Sequence, residues 1–288
     1  MMMMRMVLLM VVVGVGASLD FRTIMTYLND KPEFSILAGL LHDSHLDIVL
    51  EANGAIFTLF APTNTAFNRL APDVLNQIKG DPNLLQKVLM AHVLNSAFIS
   101  IFMSNDHAEP SLSGGNLRFN VYNRTYTVNG APITLGDQVL RNGVIHVIDG
   151  VILPAEGSIL RQVLTDDAEF EDLTAALAVT NLLEELEGNP ITLFAPLNSA
   201  FRAYYNASLP SDLSEVRAML ENHIVNGTYY TQGLPDGTTL TTLSAHTLTF
   251  TRTLSGELMV NGQTTDGVIY ATNGVIHVMT SVLGPDRR

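Results

Sequence analysis

The feature that most constrains this chain is a phrase written twice. Residues 58–67 read TLFAPTNTAF and residues 192–201 read TLFAPLNSAF, identical at eight of ten positions. Other phrases recur in the same order. NGVIHVIDGVILP at 142–154 returns as NGVIHVMTSVLGP at 273–285, and AHVLN at 91–95 returns as NHIVN at 222–226. VNG at 128–130 recurs at 260–262, and Leu28 to Phe34 matches Leu164 to Phe170. The offset drifts only between 131 and 136 residues, as small loop changes would make it. A period of this length is too long for a solenoid unit of roughly 20–50 residues. It fits two tandem copies of one globular domain. We place them at 18–154 and 158–288, joined by a linker at 155–157 where Pro154 and Gly157 interrupt the apolar pattern.

Each copy reads as helices first and strands later. Leu37, Leu40 and Leu41 have helical spacing, as do Leu173, Ala176 and Leu177. FTLFAP and ITLFAP are short apolar runs suited to a buried strand. Asn64 and Asn198 follow and are expected to cap the next helix, because Asn accepts from free helix N–H groups. In GDPNLLQKVLMAHV, Asp81 is the expected cap and Pro82 the first helical residue, with Leu84, Leu85, Val88 and Leu89 on the apolar face. In the second copy Leu213, Val216, Leu220 and Ile224 take that role. The remainder alternates like β-strand, punctuated by VNG, RNG and TNG turns. The fold class expected is α+β, with antiparallel pairing.

Charge and targeting narrow the function. The net charge is −13, distributed as −4 over 18–154 and −10 over 155–288, with Arg5 adding +1. Such a chain does not suit nucleic acid, whose phosphates need Lys and Arg. There is no cysteine, which excludes disulfides, thiolate metal sites and cysteine nucleophiles. MMMMRMVLLMVVVGVGA joins one positive charge, an apolar run of Met6–Val15 and small residues. It is read as a signal peptide over 1–17, cleaved after Ala17. The terminal GPDRR offers no hydrophobic tail for a glycolipid anchor. The expectation is a secreted, extracellular protein without stable membrane insertion.

The repeated phrases resemble the fasciclin-like domain family. That family carries a TLFAPTNxAF box, an NGVIHxID-x-VLxP box, and between them a His followed by two apolar residues. All three occur in both copies, across about residues 19–285. The resemblance implies a wedge of β-strands with a helical layer in each of two domains. It also implies a non-catalytic adhesion role, with a matrix or cell-surface protein or glycan as partner. Some members engage integrins through a Tyr-His pair or an Asp-Ile pair. Here those positions hold Ala91-His92 and Asn222-His223, then Asp137-Gln138 and Val268-Ile269. Each pair lacks one partner, which argues against integrin binding through these motifs.

Other chemistries fit these residues less well. His92, His146, His223 and His277 fall on apolar faces in both copies, and are expected to be core histidines bonded to backbone. HDSHLD at 42–47 is the most metal-like stretch, since His42, Asp43, His45 and Asp47 could hold zinc. It joins two helical patterns, however, and the second copy reads AVTNLL there, so solvated connector residues are expected. EELE at 184–187 reads as a solvated helix face. No GxSxG elbow, P-loop or GxGxxG occurs, so no enzyme and no cofactor is expected. Three sequons, at Asn123, Asn206 and Asn226, are candidate glycosylation sites. The alternative function is a fasciclin-like scaffold carrying an apolar ligand such as a carotenoid.

Overall fold

The computed structural model describes residues 20–122, 125–153, 164–186, 190–205, 210, 212–231, 234–253, 256–271 and 273–284. The stretch 1–17 read as a signal peptide, the expected linker 155–157, Asn123 and Asn206 lie outside them. The chain divides into two compact units, 1–154 and 155–288.

In the first unit the helices are α1 (Ile24–Asn29), α2 (Ser35–Asp43), α3 (Leu46–Leu50), α4 (Asn64–Asn68), α5 (Pro72–Gly80) and α6 (Pro82–Ala91). Its strands are β1 (Phe57–Pro62), β2 (Val93–Leu94), β3 (His107–Pro110), β4 (Asn116–Tyr122), β5 (Thr125–Val128), β6 (Ala131–Leu140) and β7 (Gly143–Ile148). The second unit holds α7 (Glu171–Val179), α8 (Leu182–Glu185), α9 (Asn198–Tyr205) and α10 (Leu213–Glu221). Its strands are β8 (Ile191–Pro196), β9 (Ile224–Asn226), β10 (Thr239–Thr241), β11 (Thr247–Arg252), β12 (Leu258–Val260), β13 (Gln263–Ala271) and β14 (Gly274–Met279).

Both sheets have seven strands in the same spatial order: β2-β1-β7-β6-β5-β4-β3, and β9-β8-β14-β13-β12-β11-β10. Most neighbours are antiparallel, but the two repeated boxes are not. β1 runs parallel to β7 from Phe57↔Gly143 to Pro62↔Ile148, and β8 runs parallel to β14. The reason is topological. The strand β7 ends a meander that begins at β3, so the meander sets its direction, and it inserts beside β1 in the middle of the sheet. Central strands are covered on both faces and read as continuous apolar runs. Accordingly β1 is buried at all six positions, and so is β8.

The two faces serve two cores. Leu59, Ala61, Ile145 and Val147 pack with Leu37, Leu41 and Leu89 from the helical layer. On the opposite face Phe60 and Ile148 pack with Leu117, Phe119 and Val128 from the outer strands. Gly143 begins β7 because nothing larger fits: a Cβ there would lie 2.0 Å from the Phe57 carbonyl oxygen.

The helix starts follow local chemistry, with two corrections. Asp81 caps α6, accepting from Asn83 N and Leu84 N. The cap of α4 is Thr63, whose hydroxyl accepts from Ala66 N, so Asn64 is not the cap of its own helix. Leu213 is 45% exposed at the start of α10, and Ile224 belongs to β9; the buried face of α10 is Val216, Met219 and Leu220.

Candidate functional site

Four buried histidines organise the polar interior, two per unit. In His92 the Nδ1–H donates to the Val88 carbonyl at 2.8 Å, one turn back on α6. Its Nε2 accepts from Ile152 N at 2.9 Å, beyond the end of β7. His223 repeats this, with Met219 O at 2.9 Å and Leu283 N at 2.8 Å. Each ring must be neutral, because a second ring proton would face an N–H donor. His146 and His277 use the other tautomer. His146 Nε2–H donates to Phe98 O at 2.8 Å while Nδ1 accepts from Asp137 N at 3.2 Å. His277 Nε2–H donates to Tyr229 O at 2.7 Å, and its Nδ1 meets the Thr231 hydroxyl at 3.3 Å. Both rings stack on the box phenylalanines, Phe60 at 5.2 Å and Phe194 at 5.1 Å between centroids. Burial pushes His92, His223 and His277 down to about 4, outweighing their backbone bonds. Burial also lowers His146, against the pull of the Phe98 carbonyl and the Asp137 charge.

The box asparagines brace helices other than their own. Asn64 Oδ1 accepts from Ile36 N at 3.0 Å, and its Nδ2 donates to Pro32 O at 2.9 Å. It therefore satisfies the start of α2, which has no side-chain cap of its own. Asn198 does the same for α7, accepting from Asp172 N at 2.9 Å and donating to Ala168 O at 2.7 Å.

Two further pairs were missed in the sequence. Thr58 donates to Ser96 O at 2.7 Å and accepts from Phe98 N at 2.8 Å, and Thr192 treats Gly227 O and Tyr229 N alike. Asn142 Nδ2 donates to Leu50 O and Asn273 Nδ2 to Leu186 O, both at 2.8 Å. The available signal was a polar residue kept at the same place in both boxes.

The sequence that builds this interior matches a known family. The fasciclin domain profile matches residues 32–154 and again 168–285. The chain belongs to the fasciclin domain family. Human periostin is 31% identical over 249 residues, which is 82% of this chain and 29% of periostin. The cell surface glycolipoprotein MPB83 of Mycobacterium bovis is 31% identical over 120 residues, 42% of this chain and 53% of that protein. The chain thus spans under a third of periostin and about half of MPB83. A solved fasciclin domain pair, from the insect cell adhesion molecule fasciclin I, aligns at 18% identity and a TM-score of 0.42. That alignment covers 88% of this chain and 98% of the other.

Fasciclin motif positions divide into buried and displayed. Ala91 and His92 are 3% and 1% exposed, so the first pair faces inward; His223 is fully buried and Asn222 half-buried. Asp137 sits at φ 53 and its carboxylate accepts from Ser100 N at 2.7 Å and from the Ser100 hydroxyl. Those bonds hold the turn Ser100–Phe102 against β6, where Ile101, Phe102 and Leu135 are exposed by 70%, 55% and 46%. Val268 and Ile269 lie half-buried within β13.

The metal-like stretch is an exposed connector. His42 bonds Asp47 at 3.0 Å, and that hydrogen bond raises the His42 pKa. His45 takes φ 58 between α2 and α3. Among the described residues no three His, Asp or Glu side chains are placed to share a metal ion. A surface groove of about 410 Å³ runs past Asn29, Lys31, Ala38, Gly39 and His42, with polar edges. No helix among the described residues is long and apolar enough to cross a membrane.

Proposed function

We propose that this fasciclin chain is a secreted, non-enzymatic adhesion protein that engages a matrix or cell-surface protein or glycan. Family membership over both units carries the reading, since the family resemblance implies adhesion. The relative MPB83, a cell surface glycolipoprotein, is in keeping with an extracellular site. The N-terminal stretch 1–17 supports export, and 18–154 and 158–288 are proposed as the mature domains around the linker 155–157. The four buried histidines are in keeping with it: each spends its ring nitrogens on the fold, leaving little for chemistry. Contact then falls to displayed loops, among them the Ile101–Phe102–Leu135 tip. Asn226 is exposed at the end of β9 and open to a glycan; Asn123 and Asn206 are proposed on their sequons alone.

The test is a surface-coating assay with the full mature chain, with and without divalent cations and integrin-blocking antibody. Cell retention above an albumin coat is expected, with little dependence on integrins. Intracellular retention of the chain in a secreting host, or no adhesion on any coat, would refute the proposal.

A further inference from the structure

The outer face of the second domain carries a lattice of threonines. Thr239 and Thr241 project from β10, and Thr247 and Thr249 from β11; all four are exposed. The strands are antiparallel with Thr239 opposite Thr249 and Thr241 opposite Thr247. Leu248, between the two threonines of β11, and Phe250, after them, are buried at 2% and 0% exposure. Successive threonines on a strand are therefore about 6.6–6.8 Å apart, and opposed ones roughly 4.5–5.5 Å.

Their hydroxyls are unspent. None of the four has a hydrogen-bond partner for its side chain among the described residues. Neighbouring threonines differ. Thr238 donates to Pro235 O at 2.7 Å, Thr242 bonds the Ser244 hydroxyl at 2.9 Å, and Thr265 donates to Leu258 O at 3.3 Å.

Strand preference accounts for threonine as such, but not for this composition. β10 is an edge strand, and exposed edges ordinarily carry charge, above all Lys, to block pairing. Here the four positions are uncharged in a half of the chain whose net charge is −10. The lattice also fails to recur. At the 131-residue offset the first copy has Ala108, Pro110, Asn116 and Arg118. What the fold requires repeats with the fold, as the histidines do; this array does not.

We propose that the Thr239–Thr241–Thr247–Thr249 face binds a neutral, repetitive polysaccharide. Each threonine offers one donor, two lone pairs and a methyl group. Sugar rings present matching hydroxyls and C–H faces at regular intervals. Lack of charge on the face suits a neutral glycan, and the net charge of −10 over this half of the chain disfavours uronate or sulfate polymers. The inference rests on the adhesion reading and names the ligand class for one surface of it.

The test is retention of the full mature chain on insoluble cellulose, β-1,3-glucan and chitin, beside soluble heparin as an anionic probe. Wild type should be retained by at least one neutral polymer and not by heparin. Thr239→Val with Thr241→Val, Thr247→Val and Thr249→Val keeps the branched shape and should weaken retention about tenfold or more. Thr239→Val with Thr249→Val serves if the fourfold variant does not fold, and should give a smaller loss in the same direction. No retention of wild type on any neutral polymer, equal retention of the variants, or retention through heparin alone overturns the proposal. Cell adhesion is measured on the same samples. Adhesion that persists while polysaccharide binding is absent sinks this inference and leaves the adhesion reading standing.

Discussion

Acid should unfold this protein through its interior histidines, and the second domain permits the effect to be sized. His223 and His277 are neutral in the fold, with pKa values near 4 against a reference of 6.5. In the unfolded chain they titrate at the reference value. Between those limits the unfolded state binds more protons, so stability falls as pH falls and is fully present above about 6.5. From pH 7 to 5.5, each histidine should cost about 1.2 kcal/mol, and the pair about 2.5 kcal/mol. A marginally stable domain has only roughly 5–15 kcal/mol to lose. Asp212 does not blur the window, since the bonds from Ser214 lower it below 3.8. The pH should stay above the isoelectric point, near 4.9.

The measurement is urea unfolding of the full chain at several pH values, with peptides of the second domain followed by hydrogen exchange. His223→Ala should destabilise at pH 7 by about 1–3 kcal/mol, because Leu283 N and Met219 O lose their buried partner. More tellingly, it should remove about half of the pH dependence. A midpoint that does not move between pH 7 and 5.5 would refute the reasoning. So would an unchanged slope in the variant, which would assign the protons elsewhere. His42 cannot mimic the effect: its pKa is raised by Asp47, which has the opposite sign, and it lies exposed in the first domain.

Asn64→Ala and Asn198→Ala should each cost about 1–2 kcal/mol in urea unfolding, as the starts of α2 and α7 lose a side-chain acceptor; unchanged midpoints would show that water replaces them. Gly143→Ala should cost about 3 kcal/mol or more, since the new methyl meets the Phe57 carbonyl and the parallel pair must separate; a soluble variant with wild-type stability would contradict that packing. Thr58→Val keeps the shape but leaves Ser96 O and Phe98 N unmatched, and should cost about 1–3 kcal/mol; a neutral result would mean that the turn at 96–98 relaxes to other partners.

Much of this was legible because the sequence repeats. A single apolar run such as FTLFAP is ambiguous, but two copies in the same order fix it as an element of a domain. The α+β layering and the Asp81 cap followed from spacing and local chemistry. Pairing direction did not, because it depends on where β7 inserts, and nothing within NGVIHVI encodes its neighbour. The Asn64 reading failed for a related reason. A cap is assigned to the helix that follows in sequence, whereas Asn64 reaches back 28 residues to Ile36. Thr58 and Asn142 were readable in principle, as polar residues held in otherwise apolar boxes. The threonine face was visible as TLT and TLTFT, yet only the register shows four hydroxyls sharing one surface.

The comparison of the copies also bears on how two domains would act together. Where polar residues agree, as at His92/His223, Asn64/Asn198 and Thr58/Thr192, they bond the same kind of internal group. Where the copies disagree, the positions tend to be exposed. Leu135 faces Asp266 at the 131-residue offset, and Thr239 faces Ala108. Avidity from tandem modules requires each module to bind its own site at the same time. On the adhesion reading, displayed surfaces that differ give the two domains different partners. The expected gain is therefore heterobivalent. It should appear on a coat that mixes the partners of both domains, and a coat carrying only a neutral polysaccharide should leave the first domain without a role.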